Sequence, residues 1–93
     1  MKAAAANLKA KLGDKKLYGL VNNAGTGFAH NPTKEAILKT NFYGPKLMAD
    51  AFAPLMEQDG GRIVNMGSGN GCAYVAQCQE EEQQLLSAQL ISW

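Results

Sequence analysis

Charge of one sign, clustered cysteine and long apolar runs are all missing from this chain, and each absence removes a class of function. Lys and Arg number 9 against 8 Asp and Glu, a formal net charge of +1. Such a balance supplies no basic field to hold nucleic acid and no acidic tail to hold a cationic partner. Cys72 and Cys78 are the only cysteines, with five residues between them. A disulfide scaffold needs more in so short a chain. Structural zinc prefers closer pairs backed by further Cys or His, and the sole histidine, His30, is remote. Two reduced thiols follow, as in a cytoplasmic protein. The opening Met1 to Ala6 run is broken by Asn7, Lys9 and Lys11 too early for a signal peptide. No stretch approaches the roughly 20 apolar residues that span a bilayer. The expectation is a soluble cytoplasmic chain with neither a membrane nor a nucleic-acid partner, and at 93 residues one small domain at most.

What is present is punctuation. Lys2 to Leu12 is rich in Ala and Lys, both good helix formers, and Gly13 stands where a helix would stop. Leu17 to Val21 is a short apolar run closed by Asn22 and Asn23, which suits a buried strand. Gly25 to Pro32 reads as a loop. Thr33 is placed to cap a long helix, with Glu35 against its positive start. Ile37, Leu38, Asn41, Leu47, Met48, Phe52, Leu55 and Met56 recur near every 3.6 residues, giving that helix one apolar face. Gln58 to Gly61 should end it. Arg62 to Met66 is a second strand run, and Gly67 to Gly71 a flexible turn. Beyond Gln79, Leu85, Leu86, Leu90 and Ile91 form a weak helical stripe.

Strand, helix, strand in this order requires a crossover connection and a parallel pair, normally right-handed. The predicted fold class is therefore α/β: α-β-α-β plus a C-terminal helical segment, part of a doubly wound parallel sheet. Parallel strands are normally buried on both faces within larger sheets. Two alone would leave raw edges, so the chain reads as a slice of something larger.

In open α/β sheets ligands bind beyond the carboxyl ends of the strands, where Asn22-Asn23-Ala24-Gly25 and Gly67-Ser68 lie. Asparagine can bridge neighbouring strands, and Ala24 and Gly25 let a flat ligand approach the backbone. An ordinary strand-to-loop turn uses the same residues. Asn41 is a polar residue on the apolar side of its helix, and Pro45 follows four positions later. Proline has no N–H, so the helical bond to the Asn41 carbonyl cannot form, and the freed carbonyl calls for a partner such as water. The plainer reading is a helix that bends around a sheet. Ser68 lacks the G-x-S-x-G context of a hydrolase nucleophile, and no triad assembles around one distant histidine. Gly25-x-Gly27 and Gly69-x-Gly71 are not dinucleotide fingerprints, since His30 and Tyr74 occupy the third glycine position.

Taken together these motifs resemble the short-chain dehydrogenase/reductase family. Leu17 to Gly25 resembles its fourth strand with the Asn-Asn-Ala-Gly motif. Lys39 to Gly44 resembles the helix that carries the catalytic asparagine. Gly61 to Ser68 resembles the fifth strand ending in the catalytic serine, with Gly67 in place of the first serine of a pair. Within the family the chain is most similar to the monomeric carbonyl reductases, in Thr40 to Gly44 and in the Cys- and Gln-containing stretch from Cys78 to Leu85. The resemblance implies a Rossmann-like domain over 1–93 and hydride transfer from NADPH, or NADH, to a small-molecule carbonyl substrate. It implies Ser68 on the substrate oxygen, the Asn41 carbonyl holding a relay water, and Asn22, Ala24 and Gly25 on the cofactor side.

Two parts of the family pattern are not in the chain. There is no glycine-rich loop to take the pyrophosphate, and no Tyr-x-x-x-Lys pair, since Tyr74 is followed by Cys78 and Tyr43 by Leu47. Without that tyrosine the carbonyl oxygen has no general acid. The expectation is a central fragment of a carbonyl reductase, inactive alone. The alternative is a non-catalytic binding or dimerisation module derived from the family. A thiol redox protein is disfavoured by a cysteine spacing unlike C-x-x-C.

Overall fold

Alanine and lysine at the start favour helix, and the computed structural model, which describes residues 1–88, opens with α1 at Lys2–Leu12. Gly13 closes it at φ 60°, a conformation that glycine adopts without steric cost, and its N–H donates to the Lys9 carbonyl at 3.2 Å. Strand β1 is Gly19–Asn22 and β2 is Arg62–Asn65. They pair in parallel with Gly19 opposite Arg62, Leu20 opposite Ile63, Val21 opposite Val64 and Asn22 opposite Asn65. An isolated parallel bridge between Leu17 and Met56 precedes this ladder.

The connection between the strands corrects the expectation of one long helix. Thr33 does cap its start, its Oγ1 accepting from the Ala36 N–H at 3.1 Å. The connection then runs in three parts: α2 at Lys34–Leu38, a π turn at Lys39–Tyr43, and α3 at Gly44–Phe52. Proline explains both breaks. Pro45 cannot donate to the Asn41 carbonyl, and the chain opens to the wider π turn, closed by the Gly44 N–H on the Lys39 carbonyl. Pro54 lies in a 3₁₀ turn, Ala53–Leu55, that ends the helix before Gln58 to Gly61.

One further expectation changes, and the expected C-terminal helical segment is present in part. Gly67 to Gly71 is no flexible turn, because α4 begins at Gly69 and runs to Gln77 with Ser68 as its N-cap. Part of the polar C-terminal stretch forms α5, Glu80–Leu86, where Gln83 reaches back to the Cys78 carbonyl at 3.0 Å. Leu90 and Ile91 of the predicted stripe lie outside the described residues.

Among the described residues the buried apolar core is Phe52, Leu55 and Met56, at 8%, 8% and 5% exposure. The rest of the predicted apolar face is less covered, and Leu38 and Leu47 are each 51% exposed. All four residues of β2 are exposed. The chain extends over 50 × 32 × 21 Å with a radius of gyration of 16.2 Å, where a compact domain of this length has about 12 Å. No helix among the described residues is long and apolar enough to cross a membrane.

Candidate functional site

The two strand runs each end in Val-Asn, and the parallel register sets those asparagines side by side. Asn22 Nδ2 donates to Asn65 Oδ1 at 2.7 Å, and the Met66 N–H donates to the Asn22 carbonyl at 3.0 Å. Past this point the ladder stops and both segments diverge. An open groove of about 640 Å³ lies over them.

All five residues singled out from the sequence line that groove. The end of β1 brings Asn22, Ala24 and Gly25, the π turn brings Asn41, and the end of β2 brings Ser68. Pro45 and His30 also face it. The asparagine side chain on the π turn has a definite task. Its Oδ1 accepts from the Thr26 N–H at 2.9 Å and its Nδ2 donates to the Thr26 carbonyl at 2.8 Å. That two-point clamp ties the loop after β1 to the helix. A carboxamide carries one acceptor and one donor to match the N–H and the C=O of the single residue Thr26, which is why Asn suits the position.

The Ser68 side chain is exposed, and its Oγ accepts from the Asn70 N–H at 3.1 Å. This is ordinary N-capping, and it leaves the hydroxyl hydrogen free to point elsewhere. Ser68 also borders a cleft of about 710 Å³ between α4 and α5 that includes Cys72 and Gln83. Both cysteines are free thiols. Desolvation, and then the neighbouring Glu82 carboxylate, push the Cys78 thiol above its ordinary value, against a smaller lowering by Tyr74. No cluster of three metal-ligating side chains occurs among the described residues.

The floor of the groove is open backbone. A Cβ built at Gly27 or Gly67 meets nothing within 4 Å, and one at Gly25 meets only Asn41 Oδ1, at 3.5 Å. The backbone there is open to close approach, with Asn22, Asn23 and Ser68 as polar edges. Asn65, Thr26 and the π turn were not among the residues singled out from the sequence. The matched Val-Asn endings were a usable signal for Asn65. Nothing local marks Thr26, which is held through its backbone.

Comparison with known proteins agrees with this geometry. The family model for short chain dehydrogenases matches residues 1–80. Carbonyl reductase (NADPH) 1 of Sus scrofa is 35% identical over 88 residues, covering 84% of this chain and 30% of that protein. A 3beta-hydroxysteroid dehydrogenase of Caenorhabditis elegans is 43% identical over 63 residues, covering 60% of this chain and 16% of its own length. Retinol dehydrogenase 5 of Mus musculus is 37% identical over 68 residues, 66% of this chain and 21% of that protein. The chain thus spans between 16% and 30% of the length of these relatives. No solved structure matches. With strand ends, capped serine and π-turn asparagine arranged around one groove, and the family model matching 1–80, the chain belongs to the short chain dehydrogenase family.

Proposed function

We propose that residues 1–93 are the central part of a Rossmann-like NAD(P)-binding domain in a carbonyl reductase that takes hydride from NADPH. The observation that carries this reading is the convergence of Asn22, Ala24, Gly25, Asn41 and Ser68 on one groove. A bound nicotinamide would supply the hydride. The chain's own residues bind and orient. Asn22, Ala24 and Gly25 offer an open backbone surface on the cofactor side. Ser68, held by its capping bond, can donate its hydroxyl hydrogen to a carbonyl oxygen of the substrate. The Asn41 backbone carbonyl, denied the N–H of residue 45, is an acceptor for a water that carries a proton toward the groove. The substrate is a small-molecule carbonyl compound, and the cytoplasm is the compartment this reading assigns.

The test uses the native polypeptide that carries this sequence. Ser68→Ala is expected to lower NADPH-dependent reduction of a quinone or aldehyde by on the order of a hundredfold, with cofactor affinity unchanged. Normal turnover in that variant removes Ser68 from the chemistry.

A non-catalytic binding or dimerisation module is the second reading. The exposure of β2 along its whole length favours it, since bare parallel strands call for a covering partner.

A further inference from the structure

Asn65 ends β2 and has no assigned role in the chemistry above. Register sets it opposite Asn22, the last residue of β1. Its Oδ1 accepts the 2.7 Å bond from Asn22 Nδ2, one step before the final backbone bond from the Met66 N–H at 3.0 Å. The strands are therefore joined twice where the ladder ends and the groove begins. Beyond that point exposed Asn23 and Met66 are followed by small residues, Ala24 and Gly25 from β1 and Gly67 from β2, so side-chain packing does little to fix their separation. Asn65 also borders a hollow of about 240 Å³ with Phe42 and Pro45.

On the reading of this site as a reductase groove, we propose that Asn65 is a positioning residue. By holding the Asn22 carboxamide, its side-chain oxygen fixes the distance between the Asn22–Gly25 segment and the Gly67–Ser68 segment. The requirement is for a hydrogen-bond acceptor of this length, not for bulk. Asp supplies such an acceptor and Leu does not, although both resemble Asn in size.

The experiment compares Asn65→Asp with Asn65→Leu in the native polypeptide, with Asn65→Ala as a second non-acceptor should the leucine variant fail to fold. The readouts are kcat and KM for NADPH-dependent quinone reduction, and the backbone amide NMR signals of Gly25 and Ser68. Expected for the variants without an acceptor is a loss in kcat/KM on the order of tenfold relative to Asn65→Asp. Both amide signals should shift in those variants and stay in place in Asn65→Asp. Equal kcat/KM in the Asp and Leu proteins would overturn the proposal. So would a loss confined to thermal stability, which would make the pair a sheet fastening only. If the unsubstituted protein neither binds NADPH nor reduces a quinone, the reductase reading falls. The NMR comparison then decides positioning by itself: unmoved Gly25 and Ser68 amides in the leucine variant would sink it.

Discussion

Cys72 and Cys78 occupy the same helix region yet differ in what surrounds them. Cys72 is exposed, whereas Cys78 is half-buried, and its thiol bonds the Tyr74 carbonyl at 3.3 Å. Desolvation first and the Glu82 carboxylate second raise the Cys78 thiol above its ordinary value. A raised thiol favours the protonated form in the folded state. Its contribution to stability is present below the unfolded value and is lost as pH rises through the folded one. Thiolate is the reactive form. Cys72 is therefore expected to be alkylated severalfold faster than Cys78 near neutral pH, as peptide mass mapping after iodoacetamide would read. Glu82→Gln should speed Cys78, and an unchanged rate would mean that the carboxylate does not act on the thiol. At the residue scale the sequence exposed candidates well, because Asn, Gly and Ser at strand ends are visible in one dimension. It did not expose the partners. The clamp from Asn41 to Thr26 joins residues fifteen apart through a backbone unit that any residue would offer.

Within the crossover helix, one proline changes the hydrogen-bonding pattern of a whole turn. Pro45→Ala restores an N–H that can engage the Asn41 carbonyl and draw the π turn at Lys39–Tyr43 back toward regular helix. Amide hydrogen exchange should then show protection at position 45, and on the proposed function turnover should fall with it. An unprotected amide at 45 would mean that the π turn has another cause. Glycine also acts at this scale. A Cβ at Gly61 would collide with the Glu57 carbonyl, while one at Gly67 meets open space. Gly61→Ala is expected to cost about 1–3 kcal/mol in the native polypeptide and Gly67→Ala less than about 0.5, measured by denaturant unfolding. Equal costs would refute the collision. Helix starts were legible here because caps are local, as at Thr33. The long helix was misjudged because a periodicity near 3.6 runs through all three segments and carries no sign of a single widened turn.

Among the described residues three apolar side chains are well buried, and the second strand of the sheet is bare. Val21 and Met66 are each 60% exposed and Phe28 is 87% exposed. Free edges and exposed apolar strands favour self-association. The isolated chain is therefore expected to bind a hydrophobic dye, to unfold without a sharp transition, and to leave NADPH unoxidised in the presence of a quinone. A sharp, dye-free transition would support the self-standing module instead.

The strand ends, the start of the crossover helix at Thr33 and the stop of α1 at Gly13 were determined by the sequence alone, since each depends on residues within one or two turns of one another. The long-range bonds were decided by the tertiary structure. Asn22 meets Asn65 across 43 positions only because the register sets the two strand ends level. The groove exists because the crossover then brings Asn41 over that junction, and no local preference encodes such a meeting.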